Sequence, residues 1–595
     1  MYYMSMIKKT HVAALVLAAF ALLSCTEEYK ATTIQQELII DIGKMNDAMA
    51  LLKSAVEKNA PQEEIISHFK KGRLAYKKVE WALEYFVPKT ARFMNGPPLD
   101  DIELEENRAF EPHGFQVMEE LIYPEYPKEN KKALLRELAV FGSNTKQVTT
   151  NLEAVTISND YVLDAMQQHV FRVLTLGITG FDSPLIQSSV PEAGESLILI
   201  PAVLQKIEGK SKAYNELKRF TVQAQQYCKA NNDFNSFNRA VFITTYLNPI
   251  ARELKAFQLG NKIPDVKRGS PVKASSATLF DKDAFDVNGF ILSKEYIFSN
   301  EKALLGEKLF YDTGLSKNNN RSCSSCHNPD KAFTDGLKTN LTLSGGNLTR
   351  NTPTLTYASL QNAQFWDLRQ LDLEKQSVDV LENADEMHGS LKDTHTRLLK
   401  DESYTLLFRK AFPEAKAIEP WHIQNAIASY VRSLNAFDSR FDKYMRGDDS
   451  KLTLQEINGM NIFMGKAKCA TCHFTVPPNY AKTEHEVVGT PKDVASKAIS
   501  PDDGRYLYNK MPQLKGAFKT PTLRNIAVTA PYMHNGVYAT LQEVVDFYNK
   551  GGGVGLGYAV DNQTLPFDSL NLTAKEQADL IAFMKTLTDE KYEKQ

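Results

Sequence analysis

Two copies of one short motif stand out among the residues whose types and spacing could do chemistry. Cys323-Ser324-Ser325-Cys326-His327 and Cys469-Ala470-Thr471-Cys472-His473 each carry two thiols three positions apart, followed directly by a histidine. Two such thiols can add to the two vinyl groups of one haem, and the histidine can then ligate its iron. Zinc is the alternative for a Cys₂His set, but the adjacent histidine in both copies favours haem. We therefore expect two covalently bound haem c groups, with His327 and His473 as iron ligands.

The N-terminus has the features of an export signal. Lys8 and Lys9 precede an unbroken apolar run of twelve residues, 12–23, which suits a signal-peptide core and is too short to span a bilayer as a helix. Leu22-Leu23-Ser24-Cys25 then resembles a bacterial lipobox. We expect a lipoprotein signal over residues 1–24 and a lipidated Cys25 that anchors the protein on the periplasmic side of the inner or the outer membrane. An ordinary secretory signal with a chance cysteine is the alternative.

The charge balance gives no reason to expect a nucleic-acid partner. Lysine and arginine number 70 and aspartate and glutamate 72 among 595 residues, and the composition is that of a globular protein. A chain of this length exceeds one hydrophobic core. The sixth cysteine, Cys228, stands apart from both motifs and is expected to be a small buried apolar residue.

The chain divides into a helical part and a loop-rich part. Residues 26–260 read as an all-helical domain of unknown role, in which Tyr76, Val79, Leu83 and Phe86 share one helix face before Pro88 breaks the pattern. Further helices are expected near 36–58, 131–152 and 214–230. A linker rich in Pro, Gly and Ser covers 261–278. The two haem motifs then predict a first haem lobe over 279–440 and a second over 441–595.

Several sequence blocks around the motifs resemble the bacterial di-haem cytochrome c peroxidases and their MauG-like relatives. They are LGEKLF at 305–310, RNTPT at 350–354, FWD at 365–367, TPTLRN at 520–525 and TAPYMHNG at 529–536. The resemblance implies an all-α fold with two cytochrome c-like lobes that carry long loops. It also implies that the first haem reacts with hydrogen peroxide and that the second relays electrons. The donor would be a small cytochrome c, a cupredoxin or a quinol-linked protein.

The resemblance further implies a peroxide site beside the first haem. Trp366 matches the tryptophan between the haems, Gln376, ten residues on, matches the distal glutamine, and Glu386, ten further, matches the distal carboxylate. Splitting the O–O bond requires a proton to leave one oxygen and reach the other. A partly desolvated carboxylate can do both, because burial raises its pKa towards neutrality. A solvated surface carboxylate and a core tryptophan are the alternatives.

The first haem lacks the histidine that caps its iron in many cytochrome c peroxidases. Residues 328–365 contain no histidine and no methionine, and the expected position falls near Leu343. We therefore expect the first iron to be five-coordinate and open in the oxidised protein. His388, two residues past Glu386, is the nearest rival cap, although an exposed position outside the iron's ligands is favoured.

The second distal ligand distinguishes the subfamilies, because peroxidases use methionine there and MauG-like proteins use tyrosine. Counting seventeen residues past Pro531, as in the family, leads to Tyr548, which ends a stripe with Leu541, Val544 and Val545. A core aromatic is the plain alternative, and Met533 is the competing ligand. Methionine would raise the haem potential, whereas a phenolate should lower it.

Two weaker resemblances complete the analysis. Asn351 and the backbone carbonyls of Thr529 and Pro531 match positions that hold a calcium ion in relatives, with loop hydrogen bonding as the alternative. Residues 114–120 (GFQVMEE) faintly resemble imelysin-like helical domains. His113, Glu119 and Glu120 could there ligate a metal, although a hydrogen-bonded histidine and two solvated carboxylates are favoured.

The sequence therefore predicts a di-haem c-type peroxidase that reduces hydrogen peroxide at haem 1 with electrons relayed through haem 2. One alternative is a MauG-like oxidase that uses peroxide on a protein or small-molecule substrate. The other is a di-haem electron carrier without enzymatic activity, in which both irons would be six-coordinate. High-spin iron in the oxidised protein would exclude the carrier.

Overall fold

The computed structural model describes residues 33–207, 211–267, 269–473, 485–496 and 498–593. Helices dominate throughout, and the described strands form only two small antiparallel pairs. The predicted all-α fold is therefore confirmed. Within these residues, no helix is both long enough and apolar enough to cross a membrane.

Eleven α-helices are described before the linker. They are α1 Thr33–Glu57, α2 Gln62–Phe86, α3 Pro88–Asn95, α4 Phe115–Ile122, α5 Asn130–Ala154, α6 Asn159–Arg172, α7 Ser189–Leu197, α8 Leu199–Leu204, α9 Lys212–Ala230, α10 Arg239–Phe242 and α11 Asn248–Gly260. The three helices expected near 36–58, 131–152 and 214–230 correspond to α1, α5 and α9.

The stripe predicted on α2 faces the core. Tyr76, Val79 and Leu83 are fully buried, and Phe86 ends the helix. Pro88 does not only break the pattern, because it occupies the first turn of α3, where a missing N–H costs nothing. A hairpin of β1 Asp101–Glu103 and β2 Arg108–Phe110 follows. Its strands have only three residues each, which is too short for a strand pattern to be recognised in the sequence.

The predicted linker lies against the preceding helices. Residues 261–267 and 269–278 contain no helix. Lys255 Nζ on α11 donates to the carbonyl of Ala274, and Gln167 Nε2 on α6 donates to that of Ser276. These bonds fix the path of the segment along the helices.

The first haem-motif region is framed by five α-helices: α12 Asn300–Phe310, α13 Leu373–Glu382, α14 Leu391–Leu398, α15 Glu402–Ala411 and α16 Pro420–Arg432. Helix α12 crosses α16 at Gly306. A Cβ added there would lie 1.9 Å from the carbonyl oxygen of Ala426, so the crossing requires glycine.

The second region contains α17 Arg440–Met445, α18 Leu454–Met464, β3 His485–Glu486, β4 Phe518–Lys519, α19 Leu541–Asn549, α20 Gly552–Gly555 and α21 Ala574–Lys585. Helix α18 crosses α21 at Gly459, where an added Cβ would lie 1.9 Å from the carbonyl oxygen of Asp579. The two regions therefore repeat one glycine-mediated helix crossing, next to Tyr430 in the first and Phe583 in the second.

The hydrophobic cores do not follow the division along the chain. One continuous core joins the helices before the linker to α17, α18, α19 and α21, whereas the first region has smaller cores of its own. Polar contacts cross the same boundary, because Asn461 Oδ1 accepts from the N–H of Ala240 and Asn248 Nδ2 donates to the carbonyl of Met445. The N-terminal helices are thus packed onto the second region.

Candidate functional site

Each motif forms a single tight turn that gathers its three reactive groups. The N–H of His327 donates to the carbonyl of Cys323 over 2.9 Å, and the N–H of His473 donates to that of Cys469 over 2.8 Å. A 3₁₀ turn begins at the first cysteine in both cases. No disulfide joins any of the five cysteines that the structure describes. The two thiols of each motif are therefore not paired with each other in this structure.

Both motif histidines are oriented for iron. Nδ1 of His327 lies 3.0 Å from the carbonyl of Phe333, and Nδ1 of His473 lies 3.1 Å from that of Pro521. An Nδ1–H that donates to a carbonyl fixes the ring and leaves Nε2 for the metal. Burial lowers the pKa of both imidazoles, that of His473 to about 4, so both rings are neutral. The chemistry of this donor set fits haem c at both motifs.

Glu386 lies beside the first motif on a turn that follows α13. Its carboxylate accepts a hydrogen bond of 2.7 Å from Nδ2 of Asn383. Burial raises the pKa of Glu386 above its ordinary value, while Asn383, and then Arg369 and Arg321, act in the opposite direction. Its charge also reaches the Cys326 thiol, whose pKa burial raises to about 11. Glu386 is therefore a desolvated carboxyl close to the first attachment site.

Arg321 connects this turn to the loop that lacks the capping histidine. Its Nη1 donates to the carbonyl of Glu386 over 3.2 Å, and its Nη2 donates to that of Thr342 over 3.0 Å. The N–H of Leu343 also donates to the carbonyl of Asp385 over 3.0 Å. The position where a cap was expected is thus fixed against the Glu386 turn. His388, the rival cap, is exposed, as favoured from sequence.

Trp366 joins the two regions. Its Nε1 donates to the carbonyl of Asn351 over 2.9 Å, and its own carbonyl accepts from the N–H of Lys519 on β4 over 2.7 Å. Lys519 is buried, its Nζ donates to Gln361 Oε1 over 2.6 Å, and burial lowers its pKa to about 8. Gln376 is half-buried on α13, the helix that leads into the Glu386 turn.

Tyr548 lies on α19 close to the second motif. Burial, followed by the charges of Cys469, Cys472 and Glu486, raises the pKa of its phenol. Glu486 is itself hydrogen-bonded to the Cys472 thiol and to Thr564, and burial raises its pKa. The phenol is therefore near both attachment thiols.

The competing ligand, Met533, adopts a left-handed backbone with φ of 71°. Its half-buried side chain packs against the large core. It lies in the turn that follows the cis Ala530–Pro531 bond.

The residues matched to a calcium site stand where the two regions meet. The N–H of Asn351 donates to the carbonyl of His534, and its side-chain amide donates to that of Leu337 over 2.9 Å. Thr529 and Pro531 lie in the loop that precedes His534, and Thr529 Oγ1 donates to Ile526. Asn351 therefore bonds to the loop that carries the other two residues.

The proposed N-terminal metal ligands are not gathered into one site. His113 pairs with Glu137 at 3.1 Å, Glu119 Oε1 accepts from the N–H of Ile186, and Glu120 is exposed. Among the described residues, no group of three or more His, Cys, Asp or Glu side chains could hold a metal. The expected solvated carboxylate is wrong for Glu119, which is buried with a pKa raised to about 7.

Two cysteines lie outside the haem motifs. Cys228 is fully buried, as expected, and burial raises its pKa to about 12. Cys25, the predicted lipidation site, lies outside the described residues.

Arg321, Asn383, Lys519 and Glu486 were not identified from sequence. Each of these residues contacts a partner that is distant in the chain, or lies in a turn whose path depends on packing. Lys519 directly precedes the TPTLRN block, which is the one local signal that pointed near any of them.

Comparisons with known proteins give a consistent result. Residues 300–450 match the family model described as di-haem cytochrome c peroxidase. The chain is 32% identical to a cytochrome-c peroxidase, IdrP2, of Denitromonas iodatirespirans over 48% of this chain and 81% of that one. It is 33% identical to the methylamine utilization protein MauG of Methylorubrum extorquens (49% and 79%) and 34% identical to the cytochrome c551 peroxidase of Pseudomonas aeruginosa (46% and 78%).

Proposed function

Because the chain belongs to the di-haem cytochrome c peroxidase family, we propose that it reduces hydrogen peroxide at the first haem site with electrons relayed through the second. The observation that carries this proposal is the half-buried Glu386 carboxyl, held by Asn383 within electrostatic range of Cys326. A pure electron carrier has no use for a desolvated carboxyl at that position.

The two motifs would each hold one haem. Cys323 and Cys326 would attach the first, with His327 as its iron ligand; Cys469 and Cys472 would attach the second, with His473 as its ligand. When bound, each haem supplies an iron that exchanges single electrons. Since residues 328–365 contain no histidine and no methionine, this segment would leave the first iron accessible to peroxide. Tyr548 would be the further ligand of the second iron, with Met533 as the alternative.

The chain's own part in the reaction is proton handling. Glu386 takes the proton from one peroxide oxygen and delivers it to the other, so that one O–O bond breaks. Two electrons and two further protons complete the conversion of one peroxide into two waters. Gln376 orients peroxide without adding charge. Burial favours this role for Glu386, because it raises the pKa of the carboxyl above its ordinary value and so makes the protonated form easier to reach.

Trp366 is the proposed electron relay between the sites. It bonds to Asn351 on one side and to Lys519 on the other, so its indole is held where the two regions meet. The donor is a small cytochrome c, a cupredoxin or a quinol-linked protein. We also propose that the protein is exported and anchored by a lipid at Cys25. A calcium ion would bind at Asn351, Thr529 and Pro531, and the segment 261–278 would separate the helical domain from the haem lobes.

A MauG-like oxidase of a protein or a small molecule is the second candidate. The proximity of Tyr548 to Cys469 and Cys472 favours it, since tyrosine ligation is the mark of that subfamily. The two candidates share the peroxide site and differ in the electron source.

Glu386→Gln tests the proposal, with Glu382→Gln, an exposed carboxyl at the end of α13, as the matched control. Glu386→Gln should retain two haems and lose peroxide turnover by roughly 10²- to 10⁴-fold, the usual worth of a general acid–base. The control should behave as the wild type. Full peroxide consumption by Glu386→Gln would remove Glu386 from the mechanism.

A spectrum of the oxidised wild type tests the open iron. One high-spin and one low-spin haem are expected. Two low-spin haems whose spectra do not change when peroxide is added would exclude both enzymatic candidates and leave the electron carrier.

A further inference from the structure

A connected group of aromatic side chains leads from the first haem motif to the protein surface. Cys323 packs against a small core that contains Phe310, Phe333 and Tyr430. The ring centroids of Phe310 and Tyr430 are 5.0 Å apart, and those of Phe333 and Tyr430 are 6.3 Å apart. Tyr430 is therefore in ring contact with both phenylalanines that pack near the first attachment thiol.

The group ends at an exposed phenol. Tyr311 follows Phe310 at the end of α12, with their ring centroids 5.5 Å apart, and is 47% exposed. The Tyr430 phenol is hydrogen-bonded to Tyr311, although Tyr430 is itself only 8% exposed. A phenylalanine ring at position 430 would fill the same core. The Tyr430 hydroxyl therefore adds one thing to that core, which is a link from its buried ring to the exposed ring of Tyr311.

The surroundings suit one-electron oxidation of these phenols. A tyrosine that loses an electron also loses its phenolic proton, so it needs a nearby acceptor. The hydroxyl bond between the two tyrosines provides one exchange path, and the carboxylate of Glu307 on α12 lies within electrostatic range of Tyr430. Leu304, 61% exposed and seven residues before Tyr311, lies on the same helix face. This face offers an apolar contact beside a phenol and a carboxylate.

We propose that Tyr311 is a second site of electron entry, at which small phenols are oxidised by one electron through Tyr430 and the first haem site. The inference rests on the proposed peroxide reduction, which supplies the oxidant. It goes beyond that function, because the donor is a small aromatic molecule and the route avoids Trp366 and the second haem.

The overall reaction balances with peroxide as the oxidant. Tyr430 gives one electron to the first haem site and releases its phenolic proton, which supplies one of the two protons that peroxide reduction consumes. Tyr311 then returns a hydrogen atom to Tyr430 across the hydrogen bond between them. The O–H bond of a donor phenol then breaks, and its hydrogen restores Tyr311. Two donor molecules supply two electrons and two protons, so that one H₂O₂ and two phenols give two waters and two phenoxyl radicals.

The experiment uses full-length di-haem protein with 2-methoxyphenol as the donor. Tyr311→Phe should lower peroxide-driven oxidation of this phenol by about tenfold or more, which is ~1.4 kcal/mol in the barrier. Turnover with reduced cytochrome c should be unchanged. Tyr430→Phe should have the same effect, and Tyr508→Phe, which removes another exposed phenol, should have none.

A radical measurement gives a readout independent of turnover. Wild-type protein mixed with peroxide without donor, then frozen, should give a tyrosyl signal in electron paramagnetic resonance that both Tyr311→Phe and Tyr430→Phe lose. Wild-type rates of phenol oxidation in Tyr311→Phe, or a retained radical in Tyr430→Phe, would overturn the inference. If the wild type consumes peroxide with cytochrome c but not with the phenol, only this inference fails. If it consumes none with either donor, the proposed function fails as well.

Discussion

Replacing Asn383 with alanine should move the acid limb of peroxide turnover to higher pH. Nδ2 of Asn383 donates to the Glu386 carboxylate over 2.7 Å and is, after burial, the largest influence on its pKa. Burial raises this pKa and Asn383 lowers it, so removal of the amide leaves the opposing effect of burial stronger. Glu386 accepts a proton only when it is ionised, and activity is therefore lost as the pH falls through its pKa.

The size of the effect follows from the bond that is lost. A hydrogen bond to a charged acceptor contributes about 1.5–3 kcal/mol, and ~1.4 kcal/mol is a factor of ten in an ionisation constant. The acid limb should thus lie at higher pH in Asn383→Ala than in the wild type, and turnover should recover on the alkaline side of that limb. The assay is kcat/KM for peroxide across the pH range, which reports the ionisation of the free enzyme.

Two further variants sharpen the test. Asn383→Asp removes the donor and adds a charge, so its acid limb should lie higher still, while its carboxylate can still accept from the N–H of Asp385 as Asn383 does. Asn347→Ala, at an exposed asparagine of the same region, should leave the profile unchanged. An acid limb that stays in place or moves to lower pH in Asn383→Ala, although Glu386→Gln is inactive, would refute the reasoning.

Three other changes have defined outcomes. Arg321→Gln removes two hydrogen bonds to carbonyls and should broaden the high-spin signal and lower kcat, with partial rescue by Arg321→Lys; an unaltered spectrum would contradict this. Burial raises the pKa of Glu119 from 4.5 to about 7. The free energy of unfolding should therefore fall by on the order of 3 kcal/mol as the pH rises from the ordinary pKa of the carboxyl to about 7. Urea unfolding of Glu119→Gln at pH 5 and 8 should lack this decline, which the exposed Glu125→Gln should retain. Tyr548→Phe should change the low-spin spectrum and raise the potential of the second haem in a redox titration; identical values would exclude ligation.

The chemistry of the molecule was predictable where it is local in sequence. Each haem motif is complete within five residues, and the tight turns that His327 and His473 close confirm that those five residues are enough to gather the reactive groups. The stripe of Tyr76, Val79 and Leu83 predicted a buried face for the same reason, since a helix repeats its environment every three to four residues.

The parts that could not be predicted depend on long-range packing. Arg321 meets Glu386 across 65 positions, and no local pattern signals such a contact. Glu119 was expected to be solvated, as most glutamates are, yet the loop at Ile186 covers it and leaves only one of its oxygens hydrogen-bonded. Local sequence gives the residue type at such positions, while the environment that sets the pKa comes from elsewhere in the chain.

The N-terminal helices are best understood through their contact with the segment before the second haem motif. Arg239 is fully buried, donates to the carbonyls of Ile178 and Phe234, and has its pKa lowered by burial to about 9. A Cβ on Gly465 would lie 2.6 Å from its Nη1, and Gly465 stands four residues before Cys469. A buried guanidinium beside Gly465 would favour the reduced form of an iron held at the second motif, because that form carries one positive charge fewer. Changes in the N-terminal helices should therefore alter the second haem site before they affect the first.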